Sequence, residues 1–138
     1  MPLDGSSPPL YDAVGGMRFF EVLVDAFYAG VALDPALLAL YPEPGDLSGA
    51  RHRLTLFLAQ FWVGPTTYSD ERGHPRLKMR HFPFRIGEAE RDRWLHHMLN
   101  AIDEVVADAE VRDELRAYFV PAAEHLRNDS PLRFTPGA

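Results

Sequence analysis

The histidines are where this sequence most plainly offers chemistry: His52, His74, His81, His96, His97 and His125. His52 and His96 fall opposite the apolar faces of their helices, His97 at the flank of its helix and His125 near a chain end, positions that suit surface or structural histidines. His81 is set apart by its surroundings. It follows Leu77-Lys78-Met79-Arg80, where apolar and cationic residues mix, and Phe82-Pro83-Phe84 comes directly after it. Arg72, Arg76, Lys78, Arg80 and Arg85 bring five of the 14 cationic side chains of the whole sequence into this one stretch. A haem site needs one basic nitrogen on the iron, apolar and aromatic walls for the porphyrin, and cations at its edge for two propionates. The segment offers all three. A structural histidine in a solvated charged loop is the other reading.

Competing motifs offer less. Glu71-Arg72-Gly73-His74 reads as Glu-x-x-His, but a di-iron bundle needs such strings facing inward from two helices, and this one stands alone in a segment rich in Gly and Pro. No His-x-x-x-His zinc pair and no Gly-rich phosphate loop is present, and no Ser/His/Asp set can be singled out. The lack of Cys excludes a disulfide scaffold and zinc–thiolate or iron–sulfur chemistry, and makes a reducing compartment, the cytoplasm, the expected location. A net charge of −6 argues against general affinity for nucleic acid. No apolar run approaches the ~20 residues that a membrane-spanning helix needs. The first nine residues have neither a cationic start nor an apolar run, so they do not read as a signal peptide.

The elements that must position these side chains read as helices. Phe19, Phe20, Leu23, Val24, Phe27, Tyr28 and Val31 form a stripe at helical spacing just after the break at Gly15-Gly16. Asp34 and Pro35 suit the cap and first turn of a short helix to about Tyr41. A third helix is expected from near Asp46, with Leu47, Ala50, Leu54, Phe57, Leu58 and Phe61 on one face, ending at Gly64-Pro65. From Thr66 to Arg85 the pattern predicts a long irregular loop with at most a short helix. Glu88 to Val106 then reads as a helix with Trp94, Met98, Ile102 and Val105 inward. Val111 to Leu126 reads as a last helix, expected to kink at Pro121. No period-two alternation supports a sheet, so the expected class is all-α: one domain over 11–128 between disordered tails at 1–10 and 129–138.

Spread along this frame are Tyr11-Asp12-Ala13-Val14-Gly15-Gly16, Phe27-Tyr28, Leu40-Tyr41-Pro42, Phe61-Trp62-Val63-Gly64-Pro65, Tyr68-Ser69, Arg72-Gly73-His74-Pro75-Arg76-Leu77, Met79-Arg80-His81 and Trp94. In order and spacing they resemble the group II truncated haemoglobins from about Tyr11 to Leu126. The resemblance implies a globin-like, two-over-two helical sandwich around haem b, with His81 as the protein ligand to the iron. It aligns Tyr28, Tyr41 and Trp94 with the distal polar residues and places Ala50 and Leu54 on the distal helix. Arg80, with Tyr68, Arg72 and Lys78, would surround the propionates, and Leu77, Phe84 and Met98 would add to the haem contacts. Two residues depart from the group's pattern. Val63 stands where the first of two glycines is usual, which is expected to stiffen the bend there, and Pro121 is unusual in the last helix.

In a dry pocket, Tyr O–H and Trp N–H donors aimed at a ligand that gains negative charge are worth ~1 to 3 kcal/mol each. Buried Tyr and Trp also serve as packing, and Tyr28 and Trp94 suit either role. The expected ligands are O2, CO, NO or peroxide. Three donors around one small ligand favour retention for redox chemistry, nitric oxide or peroxide detoxification with a reductase as partner. Reversible O2 storage or supply is the alternative, and a haem-free globin-like interaction module is a third.

Overall fold

Gly15 and Gly16 take φ of 96° and 85°, a left-handed turn that only glycine makes cheaply, and the chain then enters its longest apolar stripe. The computed structural model describes residues 10–41, 43–73 and 86–127. Among these, α1 is Leu10–Ala13, α2 is Met17–Val31 and α3 is Pro35–Leu38. They are followed by α4, Ser48–Phe61, and α5, Thr67–Arg72. The last two helices are α6, Glu88–Val105, and α7, Ala109–His125. No strand occurs among the described residues, and no helix there is long and apolar enough to cross a membrane.

The local signals act much as their chemistry requires. Phe20, Leu23, Val24, Phe27, Tyr28 and Val31 of α2 are all buried, each apolar side chain contributing ~1.5 to 3 kcal/mol relative to exposure. Asp34 caps α3 by accepting a hydrogen bond from Leu37 N at 3.3 Å, with Pro35 in the first turn. Asp46 accepts from Ser48 N at 3.0 Å. It therefore shapes the turn into α4 rather than opening the helix itself. Glu90 reaches back to Gly87 N at 2.7 Å to start α6, and Asp108 accepts from Glu110 N at 2.8 Å to start α7. Pro121 lies within α7, which runs on to His125.

α2 packs on both α4 and α6, and α6 packs on α7. The result is two helix pairs with one core of Phe20, Phe27, Leu58, Met98, Ile102, Leu115 and Phe119 between them. Leu10, assigned to the tail in the sequence, is buried in this core and opens α1; four residues are too few to display a period. After α4 the backbone turns at Val63, a β-branched residue at φ 67°. Gly64 follows, where a Cβ would come within 2.5 Å of Tyr11 Cδ2 and 2.7 Å of the Ala59 carbonyl oxygen.

Candidate functional site

One cavity of about 860 Å³ opens between the helices, within the ~300 to 1,000 Å³ range of cofactor and small-molecule sites. Tyr28 reaches it from α2, Leu37, Leu40 and Tyr41 from α3 and the turn after it, and Ala50, Arg53, Leu54 and Phe57 from α4. Tyr68 and Arg72 of α5, Trp94 of α6, and Phe119, Pro121 and His125 of α7 complete much of its wall. The sequence thus dispersed Tyr28, Tyr41, Ala50, Leu54, Tyr68, Arg72 and Trp94 over four helices and the turn after α3, and the fold brings them around one space.

At one end the polar atoms meet. The Tyr28 and Tyr41 rings pack edge to face with centroids 5.7 Å apart. The Tyr28 hydroxyl and the Trp94 indole act on the Tyr41 hydroxyl as polar neighbours, each pulling its pKa down against the larger effect of burial. An indole N–H only donates, so Trp94 faces Tyr41 as a donor. The Tyr28 and Tyr41 hydroxyls are coupled, and each can both donate and accept. Burial is the largest influence on both hydroxyls and pushes both pKa values up, so they stay protonated donors. Trp94 is held against Phe27 and Phe119 at centroid distances of 4.9 and 5.8 Å.

Around the rest of the cavity the charges gather. Arg53, Arg72, Arg91, Glu90 and His125 all border it. Arg91 is tied to Asp92 at 2.8 Å and to Glu124, which raises its pKa, the Asp92 bond being the largest cause. Phe57 packs edge to face on Tyr68 at 5.6 Å and braces that side of the wall. A space this large, with apolar and aromatic walls, donors clustered at one end and guanidinium groups on its border, fits a flat apolar macrocycle carrying two carboxylates.

One expected haem contact falls elsewhere. Met98 is fully buried in the core and is not among the residues bordering this cavity. Its inward position on α6 was legible, but inward there means toward the helix interface. His81, Leu77, Lys78, Arg80 and Phe84 lie outside the described residues. Among the other histidines, His52 is an exposed partner of Glu71 at 3.1 Å, and His97 meets Asp34 at 2.9 Å. His96 is exposed, as its helical position predicts. Arg53 is a site residue that the sequence reading passed over. Its signal is its place three residues after Ala50 and one before Leu54, at the border of the apolar face.

The bacterial-like globin family profile matches residues 9–128. The group 2 truncated haemoglobin YjbI of Bacillus subtilis (strain 168) is 37% identical over 120 residues, covering 87% of this chain and 89% of that protein. A thermostable haemoglobin from the actinobacterium Thermobifida fusca superposes with a TM-score of 0.85 at 53% identity, covering 88% of this chain and 98% of that one. The group II two-on-two haemoglobin of Agrobacterium tumefaciens gives a TM-score of 0.83 at 33% identity, over 91% of this chain and 98% of its own. With a matching profile, matching folds and a cavity of suitable size and chemistry, the chain belongs to the bacterial-like globins as a group II truncated haemoglobin, and its cofactor is haem b.

Proposed function

We propose that this globin binds O2 tightly and uses it in redox chemistry, removing nitric oxide or peroxide with electrons from a partner reductase in the cytoplasm. The observation that carries this reading is the convergence of Tyr28, Tyr41 and Trp94 at one end of an otherwise largely apolar cavity. Haem, when bound, supplies the iron at which a diatomic ligand or peroxide is held and electrons are exchanged. His81 would provide the protein's nitrogen to that iron. Arg53 and Arg72, joined by Lys78 and Arg80, would hold the carboxylates, with Tyr68 beside them.

At the polar end, Tyr28 and Trp94 sit as polar neighbours of Tyr41, so three uncharged donors are held together beside the space for the ligand. Such prealigned donors cost little reorganisation and act strongly where water is excluded. Leu54, Phe57 and Leu37 help exclude that water. Retention of this kind works against delivery and suits turnover: NO + O2 + one electron gives nitrate, and peroxide + two electrons + two protons gives water.

The test is stopped-flow O2 release together with NO consumption by the reduced, oxygenated protein. Slow release with stoichiometric nitrate formation is expected. Fast release without nitrate formation or peroxide turnover would instead assign the protein to oxygen supply. A purified protein that takes up no haem would leave only an interaction module.

A further inference from the structure

Away from the cavity, one carboxylate is buried with more partners than a helix cap needs. Asp34 is only 8% exposed, the only charged residue so buried among the described residues. Besides capping α3 through Leu37 N, it accepts from Arg93 Nη1 at 3.0 Å and meets His97 Nε2 at 2.9 Å. His97 is pressed against α2 on its other side: a Cβ on Gly30 would lie 2.6 Å from His97 Nδ1. The imidazole is therefore wedged between α2 and the start of α3, and its orientation has little freedom.

Both sides of this clasp lead directly to the distal donors. On one side, Leu38 N bonds Asp34 O at 2.8 Å and Tyr41 N bonds Leu38 O at 3.1 Å, a continuous ladder from Asp34 to Tyr41. On the other, Arg93 precedes Trp94 and His97 follows it by one helical turn of α6. A four-residue helix has no stability of its own to hold Tyr41 in place. The α3 segment needs an external anchor, and Asp34 supplies it at the helix that carries Trp94.

We propose that Asp34, through His97 and Arg93, is a positioning residue that sets where Tyr41 and Trp94 sit relative to each other and through that the retention of O2. This rests on the functional reading above, in which that network holds the ligand. The clasp acts by geometry: the carboxylate fixes where Tyr41 sits relative to the indole, and a small displacement of prealigned donors has a large kinetic effect.

Asp34→Asn keeps the shape and an acceptor for Leu37 N but loses the charge that gathers Arg93 and His97. Arg93→Gln, at a half-exposed position, is the variant that keeps the test open if Asp34→Asn fails to fold. The first measurement is the Trp94 indole N–H signal in the ¹H–¹⁵N spectrum of the ferrous, CO-saturated protein, identified by its disappearance in Trp94→Phe. Both variants should shift it and speed its exchange with water. The second is the O2 off-rate, expected to rise on the order of tenfold in Asp34→Asn and less in Arg93→Gln, with CO release changing little. A lowered melting temperature with an unmoved indole signal and an unchanged ratio of O2 to CO off-rates would overturn the proposal and leave Asp34 a purely structural cap. If Trp94→Phe itself leaves that ratio unchanged, the functional reading fails, while the indole signal still decides whether Asp34 sets the contact.

Discussion

The two sides of the cavity are built from different materials. Tyr28, Tyr41 and Trp94 carry no charge, Tyr41 is a neighbour of both others, and Phe27 and Phe119 pack the cluster through Tyr28 and Trp94. The border at Arg53, Arg72, Arg91 and His125 is cationic or ionisable, and Arg91 is shared with the surface acids Asp92 and Glu124. The contrast teaches a division of labour. Discriminating among ligands of two atoms calls for short, fixed, uncharged donors in a dry place, where an unpaired charge would be too costly. Holding a large group by its carboxylates calls for long-range charge, and tolerates water and mobile side chains. Substitutions at the two sides should therefore affect different observables.

The largest effect belongs to the anchor itself. His81→Ala is expected to abolish most haem retention, with recovery only when imidazole is supplied in solution. The absorption spectrum of the purified variant, with and without imidazole, checks this. Normal haem content without imidazole would remove His81 from the site.

Next comes the uncharged side. Trp94→Phe keeps an aromatic wall against Phe27 but deletes the indole N–H donor. The O2 off-rate should rise by about ten- to a hundredfold, equivalent to ~1.5 to 3 kcal/mol. CO, which gains less negative charge, should respond much less. Equal changes for the two gases would mean that the indole serves as packing and that the smaller ring has opened a gap.

At the charged border the expected pattern is reversed. Arg53→Glu should speed haem loss several-fold and make it salt-sensitive, because a like charge then meets each carboxylate across partly screened distances. O2 release should change less than haem loss, since Arg53 reaches the distal donors only through its charge at Tyr28. Haem transfer to an acceptor protein, followed at two ionic strengths, reads the first quantity, and stopped-flow reads the second. A larger change in O2 release than in haem loss would erase the distinction between the two sides.

How far the sequence reached follows the same division. The α2 stripe displays its period over fifteen residues, so the helix and the inward direction of Tyr28 were legible from spacing alone. Tyr41 sits in a turn after a four-residue helix and shows no period, so its place in the cavity rested on family resemblance. Arg53 escaped because an arginine beside an apolar face looks like a solvated neighbour until the opposite wall is known. Asp34 and His97 each read as something modest, a cap and a flank residue. Their pairing spans 63 positions and depends on α3 meeting α6, which no local pattern encodes.

The smallest effect is expected where neither side is touched. Val63 holds φ 67°, a left-handed conformation that costs a β-branched residue about 1 to 2 kcal/mol, and its side chain is 71% exposed, so little burial offsets that cost. The residue that departs from the group's pattern thus brings local strain to the bend. The turn cannot relax easily, because Val63 N bonds Gln60 O at 3.1 Å and Gly64 N bonds Ala59 O at 2.8 Å. Val63→Gly removes the strain but adds backbone freedom to the unfolded chain, worth roughly 0.5 to 1 kcal/mol in the opposite direction. The net expectation is a gain of about 0.5 to 1 kcal/mol and a rise of a few degrees in Tm. Gly64→Ala, one residue on, should do the opposite, because its Cβ would meet the Ala59 carbonyl and the Tyr11 ring within 2.7 Å. Thermal unfolding of both variants should be followed at equal haem saturation, since bound haem itself shifts the midpoint. O2 and CO off-rates and haem loss should match wild type in Val63→Gly. A stabilised variant with altered ligand release would show that the bend after α4 communicates with the cavity, and the two-sided description would then have to include it.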